Sequence, residues 1–187
     1  LNLRQGVFAS YSSNEDKTVW TFKIDPRAKF SDGSPVTAND FKVSWETQCA
    51  PVNEVSRAKA YHGNVVGFDK ARENPDGGPI DGFKAVDDAT FEVTLTKPDP
   101  VYHWRVATCH LVAVKAEQMQ KYTWDTYWLP ENGPVFSGPF MLTAYDPDLK
   151  TAELVKNPNW WMDEGPYVDK VTFQFVTDQQ TVGAMIL

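Results

Sequence analysis

The sequence predicts an α+β fold, a mixed or antiparallel sheet with flanking helices, on three observations. Strand-like alternation of apolar and polar residues recurs at Val19 to Asp25, Thr90 to Leu95 and Tyr167 to Phe175. Turn formers punctuate these runs at Ser31-Asp32-Gly33, Asp87-Asp88 and Asp146-Pro147-Asp148. A capped helical pattern opens at Thr37.

Within the first run, Trp20, Phe22 and Ile24 fall on one side and Val19, Thr21 and Lys23 on the other, the period of a half-buried strand. One face therefore meets a core. The chain reverses at Ser31-Asp32-Gly33, because an Asp side chain bonds its own backbone two residues on and Gly takes positive φ at no steric cost. Thr37 and Asp40 stand at capping-box spacing, where each side chain satisfies an otherwise orphaned amide, so a helix begins at Ala38. Phe41, Trp45 and Cys49 recur at i, i+4 and i+8 and form its inward face.

Asn53 to Ala71 carries Val55, Ala58, Tyr61, His62, Val65 and Phe68 at helical spacing, one interrupted helix or two short ones, with Gly63 and Gly67 favouring interruption. Asn74 to Pro79 is a loop. Phe83 to Val86 and Thr90 to Leu95 form a hairpin about Asp87-Asp88, with Phe91, Val93 and Leu95 buried; Pro98 and Pro100 stop it. Val101 to Ala107 reads as a short helix with Trp104 inward, Leu111 to Val114 as an apolar strand and Lys115 to Tyr122 as a helix. After a loop from Pro130 to Gly138, Phe140 to Tyr145 and Ala152 to Lys156 make a second hairpin. Tyr167 to Phe175 adds a strand, with Val171, Phe173 and Phe175 alternating, and Gln179 to Leu187 begins a helix.

The 187 residues can bury a real core, as one large domain or as a smaller one with a partial second. Eighteen basic and 25 acidic residues leave a net charge of -7, which disfavours nonspecific binding to nucleic acid or anionic lipid. No apolar run approaches the roughly 20 residues of a membrane helix, and Leu1-Asn2-Leu3-Arg4 holds no signal-peptide core.

Catalysis needs an activated nucleophile, a metal cluster or a carboxylate pair in a cleft. Ser137 lies in Phe136-Ser137-Gly138-Pro139, outside any Gly-x-Ser-x-Gly elbow. Asp87-Asp88 and Asp163-Glu164 read as solvated turns. Cys109-His110, with His62 and His103 scattered, falls short of the four ligands that zinc takes. Gly77-Gly78 runs into Pro79, which lacks the amide hydrogen needed to cradle a phosphate. No cofactor or metal site is expected. Aromatic residues make up 13% of the chain, and Trp124, Trp128, Trp160 and Trp161 lie near Pro and Gly, where they could wall a pocket or seal a core. For Trp160 and Trp161 the sealing role is favoured.

Trp20-Thr21-Phe22-Lys23-Ile24-Asp25 and Phe30-Ser31-Asp32-Gly33-Ser34-Pro35-Val36-Thr37-Ala38-Asn39-Asp40-Phe41, in this order, resemble the segment near the start of bacterial extracellular solute-binding proteins of family 5, the peptide-binding receptors of ABC importers. That family reads Tyr-Thr-Phe-x-Leu-Arg, then Phe-x-Asp-Gly-x-Pro-Val-Thr-Ala-x-Asp-Val/Phe, so Asp25 stands where an Arg is usual. Ser137-Gly138-Pro139-Phe140-Met141-Leu142, then Leu154-Val155-Lys156-Asn157-Pro158-Asn159-Trp160-Trp161, resemble two later blocks. Asp169-Lys170-Val171-Thr172-Phe173 resembles the strand that follows them, and the Phe83 to Leu95 hairpin also looks like the family.

The resemblance implies part of a periplasmic binding protein type II-like fold: residues 1–132 as the small accessory subdomain of the N-terminal lobe, 133–187 as the beginning of the larger lobe. It implies an excised piece of a longer exported protein. It implies the substrate-binding component of an ABC importer, a monomer and not an enzyme, in the periplasm or outside the cell, with lipoprotein anchoring an option. Such a component captures a peptide or other small-molecule ligand by lobe closure and delivers it to a membrane permease. Tyr61 and His62 are its ligand-contact candidates, near the place where the family's small lobe sends an aromatic side chain towards bound peptide; the match over Ser56 to Tyr61 is poor. The acid that takes the ligand's amino group is expected beyond Leu187. Export would permit a disulfide between Cys49 and Cys109, worth about 4 to 5 kcal/mol by chain entropy; the alternative is two buried thiols. Two other classes compete: a stand-alone Trp-rich carbohydrate-binding or adhesion module, and a hydrolase using Asp87, Asp88, Asp163 or Glu164.

Overall fold

Two antiparallel sheets organise the chain. In the computed structural model, which describes residues 6–53, 57–108 and 111–176, β1 (Phe8–Ser13), β2 (Val19–Ile24), β3 (Phe83–Asp87) and β4 (Thr90–Thr94) form a sheet in the order β1-β2-β4-β3. A second sheet runs β5 (Phe140–Asp146), β6 (Thr151–Lys156), β7 (Lys170–Gln174). The α-helices among the described residues are α1 (Ala38–Cys49), α2 (Ala58–His62), α3 (Phe68–Ala71), α4 (Tyr102–Val106) and α5 (Ala116–Lys121).

The main core lies between the first sheet and α1. Trp20, Phe22 and Ile24 of β2 and Phe91 and Val93 of β4 are buried, as their alternation predicts, and α1 turns Phe41, Trp45 and Cys49 onto them. Trp45 is wholly buried and meets Phe83 and Phe91 edge to face at 5.6 and 5.1 Å, the arrangement that the ring quadrupoles favour.

The helix start is a capping box. The Thr37 amide donates to Asp40 Oδ2 at 2.8 Å, and the Asp40 amide donates back to Thr37 Oγ1 at 3.4 Å. Asp40 does more than cap: its Oδ1 accepts the Ala116 amide at 2.8 Å, which seats α5 against α1. One turn further on, the Ser44 hydroxyl accepts the Val114 amide at 2.7 Å and lies 3.1 Å from the Val114 carbonyl. Ser137 Oγ donates to the Ala113 carbonyl at 3.2 Å.

These bonds correct the strand expected at Leu111 to Val114. The segment is irregular, with Leu111, Ala113 and Val114 buried, because side chains of α1 and Ser137 occupy the groups that a ladder would use. Trp104 is a second correction: it is 41% exposed, while Tyr102 and Val106 are the inward residues of α4. The interrupted reading of the segment after α1 holds, as α2 and α3 are separate and Gly67 between them adopts φ 85°. The helix expected from Gln179 to Leu187 lies outside the described residues.

The Asp-Gly corner joins the two sheets. Asp32 accepts the Ser34 amide at 2.9 Å and pairs with Lys115 Nζ at 2.5 Å. Burial alone would raise its carboxyl, but the Lys115 and Ser34 hydrogen bonds prevail and hold it at about 2. From the same corner the Ser31 amide donates to the Phe136 carbonyl at 2.8 Å, and Asn159 Nδ2 donates to the Ser31 carbonyl at 2.8 Å. Arg27 pairs with Asp25 at 2.9 Å and lies over the Trp161 ring at 5.6 Å.

The second sheet is two-faced. The register aligns Tyr145, Ala152 and Phe173, and next to them Leu142, Leu154 and Val171, on one apolar face. The other face carries Thr172 and the Lys170–Glu153 ion pair, 2.6 Å apart. Trp128 meets Tyr145 at 5.3 Å on the apolar side, yet Phe173 remains 48% and Phe175 52% exposed.

Candidate functional site

α2 carries both predicted ligand-contact residues and sends them to different places. His62 is wholly buried, with its ring centroid 4.9 Å from that of Trp45 and 5.1 Å from that of Phe83. Its Nδ1 lies 3.3 Å from the Tyr102 hydroxyl, which joins α2 to α4. Burial pushes the imidazole down to about 3 and the Tyr102 phenol well above its ordinary value. Buried there, His62 braces the core.

Tyr61, one residue earlier, is half-buried at the rim of a polar depression of about 360 Å³. Lys59, Asn64, Lys97, Asp99 and Arg105 complete its wall. The wall is held from behind: Arg105 Nε pairs with Asp99 Oδ2 at 2.9 Å, Arg105 Nη1 donates to the Ala60 carbonyl at 3.3 Å, and Asn64 Nδ2 donates to the Lys97 carbonyl at 3.0 Å.

A larger cavity, about 640 Å³, opens between β1, α4 and residues 111–113. Phe8, Phe22, Phe41, Val106 and Leu111 make it apolar, a volume and lining typical of small-ligand pockets. At its side, His103 stacks on Tyr11 at 4.8 Å and on Trp20 at 4.9 Å, and burial lowers its pKa. Sequence reasoning missed this cavity because it missed β1. Val7, Phe8 and Tyr11 were the available signal, but a register shift between Phe8 and Ser10 breaks the two-residue period.

The remaining candidates have structural surroundings. Cys49 is buried, which pushes its thiol up to about 12; its expected partner Cys109 lies outside the described residues. Asp87 accepts the Ala89 amide at 2.9 Å and the Thr90 hydroxyl at 3.0 Å, and the Thr90 bond leads in lowering its pKa. Asp163 is exposed, 3.4 Å from Arg27. Trp160 donates to the Glu164 carbonyl at 3.1 Å, Trp161 packs on the core, and Trp124 lies 5.3 Å from Tyr127. Among the described residues no group of three His, Cys, Asp or Glu is placed to hold a metal, and no helix is long and apolar enough to cross a membrane.

Comparison with known proteins places this architecture. Residues 2–187 match the family described as bacterial extracellular solute-binding proteins, family 5 Middle, and the chain belongs to that family. The periplasmic oligopeptide-binding protein OppA of Escherichia coli is 31% identical over 180 residues, 94% of this chain and 32% of that protein. The dipeptide-binding protein DppE of Bacillus subtilis is 31% identical over 174 residues, 91% of this chain and 31% of its own length. The crystal structure of Haemophilus influenzae OppA in complex with RPPGFSPFR superposes with a TM-score of 0.86 at 26% identity, covering 99% of this chain and 36% of that one. Listeria monocytogenes OppA bound to peptide gives 0.76 at 27% identity, covering 96% and 35%. The fold is thus that of the OppA-type binding proteins, and the chain spans about a third of the length of these relatives.

Proposed function

We propose that this chain is the N-terminal part of a receptor that captures peptides for an ABC importer. The observation that carries the reading is the superposition of 99% of the chain on a relative crystallised with a nonapeptide. Residues 1–132 would be the small accessory subdomain and 133–187 the beginning of the larger lobe; that each side of this boundary holds its own separate sheet supports the division. The whole protein then works outside the cytoplasm as a monomeric clamp. Ligand favours the closed state, and closure is what a membrane permease reads. The protein transports and performs no catalysis. Tyr61 is the ligand contact that this part contributes, and export would allow Cys49 to pair with Cys109. Mass spectrometry of solute retained by the full-length protein tests the reading: peptides are expected, whereas an oligosaccharide would favour a carbohydrate-binding module.

A further inference from the structure

We propose that the depression beside Tyr61 is an anion subsite that receives a carboxylate of the bound solute, an inference that rests on the receptor reading. The chain as a whole is acidic, with a net charge of -7, yet this depression gathers Lys59, Lys97 and Arg105 against the single acid Asp99. Asp99 is itself buried and committed: it pairs with Arg105 Nε at 2.9 Å and accepts the Val101 amide at 3.1 Å. Arg105 is pinned on its other side by the Ala60 carbonyl, so its guanidinium is already oriented and loses little freedom on binding. The Lys59 and Lys97 ammonium groups make no ion pair or side-chain hydrogen bond with the described residues, so their charge remains available. Two unpaired ammonium groups beside a fixed guanidinium suit a carboxylate, which accepts several charge-assisted hydrogen bonds at once. Tyr61 lines the same hollow.

A peptide can bring that carboxylate from an acidic side chain or from its C-terminus, and calorimetry on the full-length protein separates the two. One pair of probes is Ala-Glu-Ala-amide against Ala-Gln-Ala-amide; the other is Ala-Ala-Ala against its amide. The carboxylate member of at least one pair is expected to bind about tenfold tighter at low salt, with the advantage shrinking as salt rises. In the Lys59→Gln/Lys97→Gln double variant that ratio falls towards one, whereas Lys121→Gln, on α5, preserves it. Equal binding within both pairs, or a preference that survives the double variant, overturns the subsite and leaves the receptor reading standing. Failure of all four peptides to bind overturns both.

Discussion

His62 shows how one buried side chain sets a pH limit. Its imidazole is held neutral at about 3 in the fold, against an unfolded value near 6.5. Between those values the unfolded chain binds the extra proton, so stability falls as pH is lowered below about 6.5. At pH 5 the loss is about 2 kcal/mol by linkage. Asp32 adds acid sensitivity only below about 4, since its carboxylate titrates near 2 in the fold and near 3.9 unfolded. Denaturant melts between pH 7 and 5 therefore exclude Asp32 and report on His62 together with His103, whose pKa burial also lowers. His62→Phe is expected to flatten that slope while costing about 1 to 3 kcal/mol at pH 7, because the buried Tyr102 hydroxyl loses its partner. An unchanged slope would show that another group governs the acid limb. The sequence supplied the helix that bears His62 but not the direction in which the side chain points, since Tyr61 and His62 both fitted an apolar helical stripe. Burial by Trp45 and Phe83, from elements far away in sequence, decided between them.

Elements were legible where local chemistry and tertiary packing agree. The Thr37 cap, the β2 alternation and the hairpin about Asp87 each carry their own signal, and each forms as its residues predict. β1 and the segment from Leu111 to Val114 lack that agreement: a bulge scrambles the period of one, and borrowed side-chain hydrogen bonds replace the ladder of the other. Both flank the apolar cavity, which is why the sequence pattern does not reveal it; Tyr61, on the polar depression, is singled out by the family resemblance alone. The entry to β3 provides a test at this scale. A Cβ on Gly82 would stand 2.6 Å from the Thr94 carbonyl oxygen and 2.6 Å from a Val65 methyl, whereas one on Gly78 would meet nothing within 4 Å. Gly82→Ala is expected to destabilise by about 1 to 3 kcal/mol through overpacking, and Gly78→Ala to stay within about 0.5 kcal/mol. Equal melting temperatures for the two variants would contradict the close approach of β3 and the Val65 segment.

For the molecule as a whole, the second sheet sets the expectation. Among the described residues its apolar face leaves Phe173 and Phe175 about half exposed, an apolar patch of the kind that takes a covering partner. The 187-residue chain expressed alone is expected to enhance the fluorescence of anilinonaphthalene sulfonate strongly. Substituting Phe173 and Phe175 together by Thr is expected to reduce that signal, and full-length protein to give little. Dye binding that ignores both substitutions would place the exposed apolar surface elsewhere. Asp40 shapes the other half of the molecule. Its two oxygens serve amides 79 positions apart, Thr37 and Ala116. Helix entry and the docking of a distant segment are thereby made a single opening event, so deuterium uptake at these two sites should keep the same clock, and in Asp40→Ala both should quicken in concert.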